Sequence, residues 1–466
     1  MAEAEVQLYQ ERVGVFPRSV SGRFRRLKYA ILALAYGVYF LLPWLRWVRP
    51  SGSNQAVMFD IAGRRFYLFD LVVDATEMFW LAGLLVIAAI LLFLVTGIAG
   101  RVFCGYFCFQ TLWTDVFVRI ERWVQGERPA RMRLAKAPWN ADKLSKYGLT
   151  WLLWLLVALA TGVTFTLYWG NAPDLVAAMV TGSAPFPAYA TSGFLTATTF
   201  VFAGLAREQV CTYMCPYARF QSAMFDRDTL IIAYDPKRGE ERHKLERGLK
   251  YRQERQARGV GDCIDCGYCV QVCPTGIDIR NGLQLQCISC GLCVDACDTI
   301  MDKLEWPRGL VRYTSEQALE GKPTRLLKAK TVGYAVVLVT AIVLLGWSVA
   351  TREGFDVVVE QLRQPLSVKL SDGRIQNRYE IKINNKLSEP LPLRLSMSGL
   401  ESADLDLGHI QDPTVAPGQR LRLMAYVRMP ADAPPGQHRF ELVAEPIGRP
   451  EMNEQRRTAM FYVPPP

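Results

Sequence analysis

The chain has 466 residues, half of them hydrophobic, with 12 cysteines, three histidines and a formal charge of +10. That length is too great for one compact core and points to two or three domains. The apolar residues are bunched between charges rather than spread, and the basic residues follow a membrane topology, so no nucleic-acid partner is expected.

In chain order, a basic cytoplasmic leader (1–28) with Arg12, Arg18, Arg23, Arg25, Arg26 and Lys28 precedes an uncharged run, Tyr29–Leu45. The leader starts with Glu3 and Glu5, and no small-residue cleavage site follows the apolar run, so it reads as an uncleaved anchor. Further uncharged runs are Met78–Gly100, Tyr147–Pro173 and Thr331–Thr351. Each meets the requirement of roughly 20 apolar residues, about 17 at the least, for crossing the hydrocarbon core. A threonine-rich stretch over 190–206 is read as one more span, with an interfacial or re-entrant segment as the alternative.

Lys and Arg stay on the cytoplasmic side of short loops. The connection 101–146 is strongly basic, with Arg119, Arg122, Arg128, Arg131 and Arg133 among its residues, whereas the connection 174–189 has no basic residue. The N-terminus is therefore inside. Without a span at 190–206 the basic segment 207–258 would have to sit outside, so the span is kept. The expected plan is a four-span membrane domain (29–206), a basic charged linker (207–258), a cysteine-rich domain (259–305), a linker (306–330), a fifth span (331–351) and an external domain (355–466).

All cysteines lie between the second span and the last, the reverse of a disulfide-stapled secreted protein. Thiols on a reducing side are better read as metal or redox groups. Cys263-x2-Cys266-x2-Cys269-x3-Cys273-Pro274 is followed 24 residues later by Cys287-x2-Cys290-x2-Cys293-x3-Cys297. Three thiolates at this spacing wrap one face of a cubane, and the fourth cysteine of each run ligates the other cluster in two-cluster ferredoxins. One [4Fe–4S] cluster is thus assigned to Cys263, Cys266, Cys269 and Cys297, the other to Cys287, Cys290, Cys293 and Cys273. Paired four-cysteine zinc sites also use Cys-x2-Cys, but not eight cysteines in this repeated order. Asp298 stands where the second run would have proline, and its charge should lower the potential of a nearby cluster.

Cys104 and Cys108, then Cys211 and Cys215-Pro216, form two Cys-x3-Cys pairs at the cytoplasmic ends of spans. Residues four apart share a helix face, so the pairs are expected to converge into one four-thiolate site with Met214 nearby. Soft sulfur selects Cu(I), zinc or iron–sulfur. Copper and a third iron–sulfur cluster are the candidate occupants, a redox dithiol is a further possibility, and four inert buried thiols are the plain alternative. His243, His409 and His438 lie outside the spans, so no haem held by two histidines is expected. No Gly-x-Gly-x-x-Gly unit is visible either. His243 falls in the charged run EERHKLERGLKYRQERQARG, read as a solvated or headgroup-facing helix.

From Phe355 onward, short alternating segments such as RYEIKI and RLRLMAYVRM are separated by SDG, APG and PPG. About seven short strands in roughly 110 residues suggest an immunoglobulin-like sandwich. It reads as a passive binding or docking module. The expected fold class is a multi-domain membrane protein. It joins an α-helical transmembrane bundle of about five spans, an α+β bacterial-type two-cluster ferredoxin insert and a C-terminal all-β immunoglobulin-like sandwich.

The basic leader, the CGYFC and CTYMCP motifs at span ends, the ferredoxin insert, the last span and the β-tail together resemble the cytochrome c oxidase accessory family CcoG, also called FixG or RdxA. The resemblance covers nearly the whole chain. It implies a multi-pass protein of the bacterial inner membrane that reduces Cu(II) to Cu(I) for assembly of the cbb3-type oxidase. The implied partners are copper, membrane lipid, a cytoplasmic electron donor, and copper chaperones or oxidase subunits. A homo-oligomer stays open. Two other classes remain: a quinol-linked membrane ferredoxin subunit, and a non-enzymatic assembly scaffold.

Overall fold

The computed structural model describes residues 14–465 apart from 50, 51, 75, 76, 247–250, 388, 409 and 411. The first half of the leader, with Glu3, Glu5 and Arg12, and also His409, lie outside the described residues. Among the described residues, five helices are long and apolar enough to cross a membrane: Arg23–Trp44, Phe79–Ala99, Ala141–Leu167, Phe186–Ala206 and Ala329–Ala350. The chain divides into two compact units, residues 1–44 with 76–345 and residues 45–75 with 346–466.

In the first unit, the threonine-rich stretch is a full helix that starts earlier than the sequence suggested, at Phe186. Its small residues explain why. A Cβ on Gly162 would stand 2.4 Å from the Ser192 carbonyl, so the helices Ala141–Leu167 and Phe186–Thr199 approach backbone to backbone. Thr166 and Ser192 share a 2.7 Å hydrogen bond across that contact. Ser192 thus spends its hydroxyl between helices, whereas Thr196 and Thr198 donate back to the Ser192 and Phe194 carbonyls of their own helix. From Phe200 to Ala206 the helix widens into π-winding, a form found mostly at functional sites.

The basic connection after the second span is also structured. The amphipathic helix Phe109–Gln125 buries Leu112, Trp113, Phe117 and Val118. Trp113 donates to Thr161 Oγ1 at 2.7 Å, and the Phe117 and Trp154 rings stack at 5.3 Å. The helix therefore packs on the span Ala141–Leu167.

Strands run in chain order as β1 (Val57–Asp60), β2 (Arg65–Leu68), β3 (Leu71–Asp74), β4 (Ile231–Tyr234) and β5 (Val311–Thr314). The tail adds β6 (Phe355–Gln361), β7 (Val368–Lys369), β8 (Ile375–Asn385), β9 (Leu391–Ser398) and β10 (Asp404–Asp406). It ends with β11 (Thr414–Val415), β12 (Arg420–Met429), β13 (Gly436–Pro446) and β14 (Gln455–Val463).

The segments expected as linkers, 207–258 and 306–330, are folded rather than extended. β4 and β5 pair antiparallel and close the ferredoxin region with Ile232, Tyr234, Leu310 and Val311 in its core. The run expected as one solvated helix does not form one. Among the described residues only Arg252–Ala257 is helical there, and Arg255 is fully buried against the Trp306 ring, donating to the Gly261, His243 and Cys263 carbonyls. Arginine makes this possible because its stem is apolar and its planar fork serves several acceptors.

In the second unit, two sheets of order β10-β12-β8-β6 and β11-β9-β13-β14 face each other. Along β8, burial alternates residue by residue over most of its length, as period two demands. Ile381, Ile383, Leu393, Phe440 and Phe461 form the core between the sheets. The connection between the first two spans folds into a three-stranded meander, β1-β2-β3. It belongs to the sandwich: Asn384 donates to Asp74 at 2.6 Å and Arg352 to the Val72 carbonyl at 2.6 Å.

Candidate metal centres

The two cysteine runs fold alike because the same backbone exceptions recur. In the first, Asp265 and Gly267 have φ of 48° and 64°; in the second, Ser289 and Gly291 have 53° and 76°. Left-handed residues on each side of the middle cysteine wind the loop into a cup. A helix starts directly after each cup, at Tyr268 and at Leu292, so helix N-termini face the thiols.

Two cavities result. Cys263, Cys266, Cys269 and Cys297 line one, beside Tyr234 and Arg280. Cys273, Cys287, Cys290 and Cys293 line the other, which Cys269 also borders. The last cysteine of each run thus faces the other run's cavity. Among the described residues no three ligating side chains converge on a single-ion site. Each foursome is spread around a larger space, as four corners of a cubane require and a single zinc ion does not.

Burial pushes the Cys269, Cys287 and Cys297 thiols up to about 12 and raises those of Cys290 and Cys293. Thiols in such surroundings stay protonated unless a metal takes the proton's place. The donor set therefore fits clusters that are negative as a whole and need thiolate. Arg280 tempers the first cavity: it lies near Cys269 and is itself paired to Asp278 at 2.7 Å and Asp265 at 2.5 Å. Asp298 adds its charge beside Cys297, so it bears on this same cavity, and it also accepts from the Gly309 amide at 3.1 Å.

The remaining four cysteines come together. Cys104 is pushed up to about 11 and Cys211 to about 12, first by burial and then by the neighbouring thiols, which for Cys211 include Cys108, Cys104 and Cys215. The two members of a pair do not share one helix face. Cys104 lies in the turn Val102–Tyr106, whereas Cys108 is extended and opens the helix Phe109–Gln125. Cys211 lies in the π-turn Val210–Met214, whereas Cys215 is extended and opens Pro216–Ala223. Both motifs break a helix at the second cysteine, and both breaks put a helix start behind a thiol. Met214 is exposed.

This foursome abuts the second cavity. A Cβ on Gly105 would fall 2.7 Å from the Ile288 carbonyl, and Tyr106 donates to the Cys290 carbonyl at 3.0 Å. Cys104 donates to Gln221 at 3.1 Å, and Gln221 is held by Tyr217 at 2.8 Å and Thr96 at 3.1 Å. Arg101 reaches the Cys104 sulfur at 4.0 Å and donates to the Leu285 carbonyl.

The leader docks on the same region. Asp295, on the helix after Cys293, accepts from the Phe24 and Arg25 amides at 3.2 and 2.8 Å. It thereby caps the first span, whose own Gly22 offers no side chain and stands so close that a Cβ would meet Asp295 at 2.2 Å. Sequence reasoning missed Arg101, Gln221, Asp295 and Arg255. Arg101 sits three residues before a cysteine, but no local pattern reveals partners at 221 and 285.

Residues 206–316 match the family described as 4Fe-4S dicluster domain, and residues 81–128 match a 4Fe-4S binding domain. Together those segments contain all 12 cysteines. Residues 345–464 match the Ig-like fold at the C-terminus of FixG. Protein RdxB of Cereibacter sphaeroides is 44% identical over 440 residues, covering 91% of each chain. Protein RdxA of the same organism is 46% identical over 402 residues, covering 84% of each. The nitrogen fixation protein FixG of Rhizobium meliloti is 39% identical over 484 residues, covering 94% of this chain and 91% of its own. The matched lengths take in the spans, the cysteine cavities and the sandwich of this chain, and the chain belongs to the FixG/RdxA family of membrane iron–sulfur electron-transfer proteins.

Proposed function

We propose that this protein takes electrons from a cytoplasmic donor and reduces Cu(II) to Cu(I) at the Cys104, Cys108, Cys211 and Cys215 site, in support of cbb3-type oxidase assembly in a bacterial inner membrane. The observation that carries this reading is the direct seating of Gly105 and Tyr106 on Ile288 and Cys290. It sets the four thiols against one ferredoxin cavity, with the other cavity beyond it.

When bound, [4Fe–4S] clusters supply electrons singly, which matches the one electron that each Cu(II) accepts in becoming Cu(I). Cys269 borders both cavities and keeps them adjacent. Tyr106 and Gly105 hold the next gap short. The four sulfurs form a soft donor set that favours Cu(I) over Cu(II), so the site stabilises product. Met214 is exposed and directly precedes Cys215, so we assign its thioether to the release of Cu(I).

Packing supports the topology. The leader meets Asp295 within one unit, as expected if leader and ferredoxin insert share the cytoplasmic side. The meander β1–β3 and the sandwich share the other unit, as expected if both lie outside. The decisive experiment replaces all four of these cysteines with serine, confirms that the ferredoxin clusters remain by spectroscopy, and assays copper reduction. Copper reduction should fall to background. Undiminished copper reduction removes the four thiols from the reaction. Rapid cluster reduction by quinol, indifferent to copper, would favour the quinol-linked class instead.

A further inference from the structure

Three of the largest fully buried side chains are arginines: Arg101, Arg131 and Arg255. Arg131 is balanced by Glu121 at 3.0 Å. The other two form no ion pair among the described residues; Asp262 acts on Arg255 electrostatically but is already paired to both Arg238 and Arg252.

Arg101 is 2% exposed; one Nη donates to the Leu285 carbonyl, the other points at Cys104, and Nε has no partner. Arg255 is 0% exposed; it donates to the Gly261 carbonyl at 2.9 Å, the His243 carbonyl at 2.9 Å and the Cys263 carbonyl at 3.1 Å, and one Nη has no partner. Carbonyls satisfy hydrogen bonds but not a net charge. Guanidinium does not shed its proton in proteins, and a buried charge without a counter-charge is strongly unfavourable.

Their positions resolve the imbalance. Leu285 precedes Cys287 by two residues, so Arg101 stands between the second cavity and the four-thiol site. Arg255 grips Cys263 itself, at the first cavity. Each cavity thus has one buried cation outside any ion pair, Arg255 at the first and Arg101 at the second, beside the paired cations Arg280 and Lys28.

We infer that Arg101 and Arg255 are built-in counter-charges, one for each iron–sulfur cluster, and that they set the two reduction potentials independently. The inference rests on reading the two cavities as [4Fe–4S] sites. Reduction adds a negative charge to a cluster, so a fixed cation beside it favours the reduced form. Removing the cation lowers the potential of that cluster and leaves the more distant one alone. Because Arg101 also faces Cys104, it favours arrival of the electron next to the four thiols.

The test uses full-length protein, purified anaerobically in detergent, as wild type, Arg101→Gln, Arg101→Lys, Arg255→Gln and Arg255→Lys. Iron is counted and midpoints are read by potentiometric titration with electron paramagnetic resonance. Each Gln variant should shift one midpoint downward by about tenfold in the oxidation equilibrium, 59 mV for one electron, and the two variants should move different midpoints. The Lys variants should stay near wild type. Loss of iron in a Gln variant but not in the matching Lys variant also supports the inference, because charge rather than shape is then what the cavity needs. Midpoints that do not move, that move together, or that move equally in Lys and Gln variants overturn it, as does equal iron loss in both. Absence of any cluster signal from the wild type sinks the cluster reading and this inference with it, whereas intact wild-type midpoints with no dissociation between variants sink the inference alone.

Discussion

The sandwich fills its centre with hydrocarbon, with Ile381, Ile383, Leu393 and Phe461 all fully buried, whereas the ferredoxin region fills its centre with thiols. Cys263, Cys269, Cys287, Cys293 and Cys297 share that centre with buried apolar residues such as Ile232, Val294, Leu310 and Val311. The sandwich needs only water's preference for expelling apolar surface. The ferredoxin region holds buried thiols and two buried guanidiniums outside any ion pair, so its stability is expected to depend on the clusters those groups would hold.

Removing iron should separate the two regions most sharply. Stripping the clusters with a chelator under reducing conditions should unfold the segment 207–330, read by limited proteolysis, while the sandwich strands stay protected, because ligand binding and folding are one process at such sites. Equal protection of both regions would show that the ferredoxin fold stands without metal. The converse experiment is Leu393→Ala, which should cost the sandwich about 2–5 kcal/mol in denaturant unfolding while the iron count stays at the wild-type value.

Smaller changes probe how the ferredoxin region is seated. Gly105→Ala forces a methyl group against the Ile288 carbonyl and should destabilise the first unit by about 1–3 kcal/mol; copper reduction should fall with iron retained. Asp295→Ala removes the cap on the first span and should cost about 0.5–2 kcal/mol, visible as faster proteolysis of the leader with unchanged cluster spectra.

The same contrast explains what the sequence disclosed. β8 and β12 were legible because ten or so residues alternate in register with burial. The cross-assignment of Cys273 and Cys297 came from the two-cluster ferredoxin pattern, in which the fourth cysteine of each run serves the other cluster. β4 and β5 were not, since each has four residues, too few for a period to show, and their pairing joins Tyr234 to Val311, 77 positions along the chain. The meander β1–β3 was hidden for a similar reason, with strands of four residues each. The expected convergence of the four membrane-end cysteines followed from topology, but a shared helix face did not, because Cys108 and Cys215 each sit where one helix stops and another starts. Arg101 and Arg255 escaped notice because a basic residue in a basic segment looks solvated until its surroundings are known.

The cap on the first span carries a consequence for biosynthesis. Arg25 and Asp295 are 270 residues apart, so the N-terminal end of the first helix leaves the ribosome long before its acceptor exists. At 5–20 residues per second that interval is about 15–50 s. During it the helix can enter the bilayer, but its N-terminal end remains unfinished. The end is completed only when the helix following Cys293 has formed, and that helix borders a cluster cavity. Delivery of iron and sulfide therefore becomes a checkpoint on the oldest part of the chain, and a protein that misses its clusters displays an open N-terminus to the cell's proteases.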